Sequence, residues 1–570
     1  MKNSFKVSLP LYNLTQSLVE HSSTVEQKPL SSVSQSLHSA HSELQDWSND
    51  HEYWDVNKPS ADNSTANLVF STASSLLQSI PNSRYRNGHT IIPGIVQSGT
   101  MLYHGRGDSD IPTMDWVAFE PELSYTFCRI FGGAENCWLH NFVVDRPLRV
   151  LYFDGSGTAL AAFPRGSMDS QDIFAWGEIK PDMALNEGSR IRKMCEWASK
   201  LGLDGFIRTG VVYEIMLCDF GSVKLVSSQH LKSTPSTSTY MPAPSGPMKI
   251  PSYTVPITTF DAIQTLKLLG PFDYYPGLSV VQLDLTHFVS FYDTTLAPSL
   301  IAVRSGKPRL AHRLLGIDED DIVRVRKYLE EQIAETPWSS LQPEAVEHGI
   351  DWSAYLHSII SLYGKPLEDI WVIINSTWPQ SDVQPNNQDT QVKTAFRLIE
   401  YTVQRFILYS VSPVGNASDF AWASPVYKEC ALSHTSSIST TSRTKSEALL
   451  RNAVEGTTRE LCRALTKMWA MGVHEGLSSL FDSPTSSAHP LVRNAVLDAW
   501  KLELGNLIQW LDWNVWIRCK PACGEQELCH IPNFPFSVGD VSLPVWREDD
   551  PKPRSKYIPN VNVFGTPRKV

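Results

Sequence analysis

No stretch of the 570-residue chain holds the ~18–20 uninterrupted apolar residues that a membrane-spanning helix requires. The longest apolar runs, such as Ile370–Asn375, are the size of a core strand, so no transmembrane segment is expected. The opening residues, MKNSFKVSLPLYNLTQSLVEHSS, lack the apolar block that precedes the cleavage site of a signal peptide. Taken as written they point to an intracellular chain, with the secretory pathway as the alternative. Positive charge is also in short supply: Lys+Arg number 49 against 60 Asp+Glu, a net charge of −11. Such a chain offers no broad electropositive surface to a polyanion, so nucleic acid is not an expected partner.

Cysteine is sparse as well. Nine residues, an odd number, are spread thinly over the chain, which argues against a disulfide scaffold of the small secreted kind. The exception is RCKPACGEQELCHIP, where Cys519, Cys523 and Cys529 stand together with His530. This cluster fits a short disulfide loop, part of a metal site, or three thiols. Zinc usually takes paired ligands two to four residues apart, and Cys519/Cys523 alone comes near that spacing, so no metal site is assigned. Common catalytic signatures are missing: there is no HExxH, no Gly-x-Ser-x-Gly and no glycine loop followed by Lys-Ser/Thr. In LYFDGSGT, Asp154 ends a strand before a glycine-rich turn, but Ser156 stands where a second aspartate would complete a haloacid-dehalogenase pattern. A strand closing in a tight turn accounts for it. Asn-x-Ser/Thr sequons occur at Asn13, Asn63, Asn375 and Asn416, a yield that a Ser/Thr-rich chain reaches by chance.

What the chain does contain is core-forming material. Hydrophobic residues make up 42% and tryptophans number 17, enough for two to four packed units at this length. Residues 1–60 read as a disordered Ser-rich arm, 233–256 as a Pro/Ser/Thr linker, 433–446 as a Ser/Thr-rich loop and 546–570 as a disordered tail. Between the arm and the linker, HTIIPGIV, TMLYHG, DWVAF, HNFVV, LRVLYFDG, DGFIR and YEIMLCDF are short β-branched and aromatic runs bounded by Gly, Asp and Pro, the pattern of strands. SRIRKMCEWASKLGL carries Ile191, Met194, Cys195, Ala198 and Leu201 at helical spacing, with Gly202 as a stop.

Beyond the linker, SVVQLDL and FVSFYD are strand-like and helices then dominate. Ile322, Val325, Leu329 and Ile333 form one stripe, and Leu450, Val454, Thr457, Leu461, Leu465 and Met468 another. A third runs through Val492, Val496, Ala499, Leu504, Leu507, Ile508 and Leu511, with Trp500, Trp510, Trp513 and Trp516 read as packing residues. The expected fold is α+β: a mixed or antiparallel β-rich unit over 85–232, then a mixed and helical region over 257–432 and a helical region over 447–545.

One set of residues could carry chemistry. A strand ending in Tyr-His-Gly, an aromatic strand leading into Pro-x-x-Ser-Tyr, and Gly-x-Asp-Gly-Phe before a strand with Glu together resemble the ADP-ribosyltransferase superfamily. The resemblance implies an NAD cleft lined from three strands. His104 would meet the adenosine ribose, Tyr125 would stack on the nicotinamide and Glu214 would be the catalytic carboxylate, while Arg106 could meet the pyrophosphate bidentately. A carboxylate suits the last role because breaking the nicotinamide glycosidic bond builds positive charge on the ribose. The chain lacks the glycine signature of the poly(ADP-ribose) polymerases and has no Ser-x-Ser ahead of Glu214. From about 90 to 540 it also resembles a group of uncharacterised fungal proteins through the blocks CEWASKLGLDGFIR and LDWNVWIRCKPACGEQELCHIP. Two functions are therefore expected as alternatives. One is an NAD-dependent ADP-ribosyltransferase or NAD glycohydrolase; the other is a non-catalytic interaction or scaffold protein with a helical C-terminal binding surface and an unknown protein or small-molecule partner.

Overall fold

The computed structural model describes residues 53–60, 64–78, 84–85, 87–132, 135–157, 166–184, 186–210, 212–233, 277–339, 341, 349–376, 387–413, 419–438, 444–480, 490–519, 527–530 and 554–557. Ten strands form one sheet: β1 (Thr90–Val96), β2 (Met101–Arg106), β3 (Asp115–Ala118), β4 (Cys137–Val143), β5 (Leu148–Ser156), β6 (Gly205–Thr209), β7 (Tyr213–Leu217), β8 (Lys224–Leu231), β9 (Val281–Leu283) and β10 (Val289–Ser290). Their order is β10-β1-β5-β6-β7-β3-β2-β4-β8, with β9 also on β1. Among the described residues β5 and β6 are the one parallel pair, because a helical crossover separates them as parallel pairing requires. That crossover holds α1 (Asp169–Trp176) and α2 (Glu187–Ala198). All seven runs read as strands ahead of the linker are strands. SVVQLDL and FVSFYD supply the short β9 and β10.

Both faces of the sheet are covered, so its central strands are apolar on both sides. Alternate residues along each strand feed two cores. Ile91, Leu151, Phe206 and Met216 face one side, where they pack against Ile173 and Phe174 of α1, Ile191 and Met194 of α2, and the predicted stripe Ile322, Val325, Leu329, Ile333 of α3 (Glu319–Glu335). Ile92, Tyr152, Ile207 and Ile215 face the other, against the helices of the C-terminal half. These are α4 (Trp352–Asn375), α5 (Asn387–Val403), α6 (Ser424–Leu432), α7 (Lys445–His474) and α8 (Pro490–Leu511). The fold is α+β with most of its helices in the C-terminal half. Of the expected linker at 233–256 only Ser233 is among the described residues, and the segments on either side of it share one core.

The central helix, α7, shows how sequence builds this layer. Thr444 caps its first turn, accepting from the Glu447 backbone N–H while the Glu447 side chain accepts from the Thr444 N–H, a reciprocal pairing that satisfies two otherwise orphaned donors. Its predicted stripe is buried at all six positions, Leu450 through Met468. Trp500 and Trp513 are also fully buried, as packing residues should be.

Three features go beyond the sequence reading. Ile370–Asn375, an apolar run of core-strand size, is the last turn and a half of α4. Residues 554–557, within the expected disordered tail, form a strand paired with 527–530. Cysteines outside the 519–529 cluster also pair: Cys128–Cys137, Cys195–Cys218 and Cys430–Cys462 are disulfide-bonded, with Cα atoms 4.7, 5.3 and 5.7 Å apart. Cys519 is disulfide-bonded too. The arm over 1–52 and the side chains of Cys523 and Cys529 lie outside the described residues.

Candidate functional site

His104 lies on β2 and Glu214 on β7, two strands away across β3. Register decides which way they point. Ala118 of β3 pairs with Tyr103 on one side and with Glu214 on the other, and Glu214 pairs with Arg208 of β6. Paired residues project to the same face, so Tyr103, Ala118, Glu214 and Arg208 share one side of the sheet. His104, one residue on, projects to the opposite side. Its surroundings agree: its ring meets Phe220 edge-on at 5.4 Å and lies 6.4 Å from His140, next to the core shared with the C-terminal helices. Glu214 instead faces α2. The two side chains do not meet.

Tyr125 stands on neither strand. The segment Pro121–Gly132 is a helix, α9, laid against β2 and tied to β4 through Cys128–Cys137. A Cβ at Gly105 would collide with the Ser124 carbonyl, so glycine there is what lets the helix come down onto the strand. Ser124 Oγ then donates to the Tyr103 carbonyl at 2.8 Å. Tyr125 is half-buried on this helix. Arg106 forks onto neighbouring Asp108 at 2.8 and 2.9 Å, an exposed local pair.

His104 is bonded through Nδ1 to the Trp116 carbonyl at 2.5 Å, and burial holds its pKa below the ordinary histidine value despite Asp115 nearby. It is therefore neutral at physiological pH. Glu214 is held differently. Its carboxylate accepts from Arg208 Nε at 3.0 Å, while Arg208 Nη2 reaches Glu187 of α2 at 2.6 Å and Nη1 reaches Gln171 of α1 at 2.9 Å. The guanidinium also lies 3.9 Å from the Trp116 ring centroid. Burial works against the charge on Arg208, but Glu187 and Glu214 more than offset it and hold its pKa above the usual value. Burial raises the Glu214 pKa, against the pull of Arg208. Glu187 continues the network to Arg190 at 2.8 Å, and Arg190 to Asp172 at 2.8 Å. Chemically this is a buried array of paired charges in which each guanidinium is shared between two carboxylates.

The structure gathers polar groups at a second place that sequence reasoning passed over as a simple turn. Beside the end of β5, Thr72, Ser75, Tyr85, Tyr152, Asp154 and Arg309 line a narrow pocket with room for little more than a water molecule. Asp154 accepts from the backbone N–H groups of His89 and Thr90 at 2.8 and 2.7 Å, which fastens the start of β1 to β5. Burial lifts its pKa to about 7 even though those two donors and Arg309 favour the charged form. Arg309 Cζ lies over the Tyr85 ring, 3.9 Å from its centroid, and the guanidinium donates to Ser71 Oγ at 2.8 Å. Such a carboxyl can exchange a proton near neutrality or hydrogen-bond a small polar ligand. The signal in the sequence was Asp154 itself; the partner Arg309, 155 positions later, had none. Glu120, between β3 and α9, is a further buried carboxyl, raised to about 8 by burial, and its Oε2 has no hydrogen-bond partner among the described residues. No group of three or more metal-ligating side chains occurs among the described residues.

Comparison with known proteins adds relatives. Residues 131–250 match the family model of the YPL277C N-terminal domain. The chain is 22% identical over 571 aligned residues to the uncharacterised protein YOR389W of Saccharomyces cerevisiae, a match covering 86% of this chain and 84% of that protein. It is 28% identical over 247 residues to the uncharacterised protein YPL277C of the same yeast, covering 35% of this chain and 49% of that protein. No solved structure matches. These likenesses, one of them running along most of the chain, support a place for this protein in a family of uncharacterised fungal proteins.

Proposed function

We propose that this chain is a non-catalytic interaction protein whose helical C-terminal half carries a binding surface, and that it is not an ADP-ribosyltransferase or NAD glycohydrolase. The observation that supports this reading is the sheet standing between His104 and Glu214: an NAD cleft of the expected kind needs both on one side. The engagement of Glu214 by Arg208 adds to it, since a carboxylate that must stabilise a cationic ribose cannot also be the fixed partner of a buried guanidinium without losing much of its field. On the helical side, Tyr401 and Tyr409 are 69% and 97% exposed, and tyrosine is a residue type enriched in protein interfaces.

The test is to incubate the protein with NAD and follow release of nicotinamide, with Glu214→Gln in parallel. The expected result is no release above the buffer rate by either protein, and no shift in melting temperature at millimolar NAD. Release by the wild type that is lost in Glu214→Gln would overturn the reading and restore NAD as the substrate.

A further inference from the structure

We propose that Asn375 is an N-glycosylation site and that the chain folds in the oxidising compartment where this modification is made. Two independent features carry the inference. The first is the cysteines: Cys128, Cys137, Cys195, Cys218, Cys430 and Cys462 pair with one another, and Cys519 is bonded as well. Disulfides used in this way form and persist in oxidising surroundings and are rare where glutathione and thioredoxin keep thiols reduced. The second is the Asn-Ser-Thr sequon at Asn375, exposed at the end of α4.

The local geometry leaves that side chain available. Ser376, with φ −66° and ψ 131°, takes the chain out of the helix into extended backbone. The carbonyls left open at this end are served by Gln391, whose Nε2 donates to Ile373 O at 2.7 Å, Ile374 O at 3.2 Å and Ser376 O at 3.1 Å. Asn375 is therefore not needed as the cap. Its own amide donates to the Trp371 carbonyl at 2.9 Å, which uses one of its two hydrogens. In the modification the amide nitrogen attacks the anomeric carbon of an oligosaccharide carried on a lipid pyrophosphate. The C–N bond forms, the C–O bond to the pyrophosphate breaks, the lipid pyrophosphate leaves and the amide gives up one proton, with no oxidation or reduction. The hydrogen that remains can keep the bond to Trp371. Val372, 57% exposed and three residues back on the same helix face, would lie under the first sugars.

The test is mass spectrometry of the full chain purified from the cells that make it, with free thiols blocked before reduction. The expected result is that the Asn375 peptide appears only after treatment with the amidase that removes N-glycans and leaves aspartate, and that the Cys195–Cys218 peptide pair is found bonded. Thr377→Ala should lose the glycan while Ser376→Ala, which keeps the sequon but removes a hydroxyl bonded to Ile373 O at 2.8 Å, should retain it. Unmodified Asn375 in the wild-type protein would overturn the proposal, whether or not the disulfides are present. Free thiols at Cys195 and Cys218 would overturn it as well.

Discussion

Two buried arginines, one in the sheet region and one in the helical half, are held in nearly the same way. Arg208 is bonded to Glu187 at 2.6 Å and Glu214 at 3.0 Å, with its side chain 2% exposed. Arg463 is bonded to Glu460 at 2.7 Å and Glu503 at 2.5 Å, with its side chain 5% exposed. In α7 the role of such a triad is evident: Arg463 also donates to the Val56 carbonyl at 2.8 Å, and Glu503 belongs to α8, so the triad ties three segments together. Arg208 does the same for β6, β7 and the crossover helices. The lesson is that Glu214, singled out as a catalytic carboxylate, belongs to a structural device this fold uses twice. The regions differ at the rim. Lys467 adds a second cation to Glu503 at 3.0 Å, whereas Glu214 ends its chain of charges with burial still raising its pKa.

The comparison predicts its own tests. The largest effect should come from Arg208→Met and Arg463→Met, which leave Glu214 and Glu460 respectively in the interior without their cation and should each cost about 3–5 kcal/mol in denaturant unfolding. A large loss at one arginine and none at the other would break the equivalence. Glu214→Gln and Glu503→Gln keep a hydrogen-bond acceptor and should cost less, about 1–3 kcal/mol. Next comes pH. Asp154 and Glu120 have folded-state pKa values of about 7 and about 8, above their usual 3.8 and 4.5. The folded state then binds more protons than the unfolded one between these values, so both groups make stability fall as pH rises from about 4 to about 8, at up to ~1.4 kcal/mol per pH unit for each group titrating. Asp154→Asn and Glu120→Gln should each flatten that fall, which unfolding curves at pH 5, 6.5 and 8 would register; an unchanged slope would remove these groups as its cause. The smallest effect is expected at Arg106→Gln, which loses an exposed pair with Asp108 and should stay within about 0.5 kcal/mol.

Much of the fold was legible in the residues themselves. Strands β1 to β7 announced themselves by β-branched and aromatic runs, and the stripes of α3 and α7 by their spacing, because one periodic face had to be buried in each. Where the reading failed, the physical reason is specific. β8, KLVSSQHL, is an edge strand exposed along most of its length, so it carries no alternation to detect. The run Ile370–Ile374 is apolar without a period, and such a run does not tell a buried helix from a strand. The resemblance placed Tyr125 on one of three strands lining the cleft, although Pro121 suits the first turn of a helix. The disulfides close gaps of 9, 23 and 32 residues, which have no local signature. The candidate site was the least legible part. His104 and Glu214 were correctly assigned to strands, but their faces depend on the register through β3, which pairs two strands distant in the chain.

The central claim is that Glu214 serves Arg208, and a double-mutant cycle in denaturant unfolding measures that directly. Arg208→Met, Glu214→Gln and the combined variant should give a double mutant less destabilised than the sum of the singles by about 1–3 kcal/mol. Strictly additive losses, within about 0.5 kcal/mol, would mean that the two side chains are not energetic partners and would contradict the account.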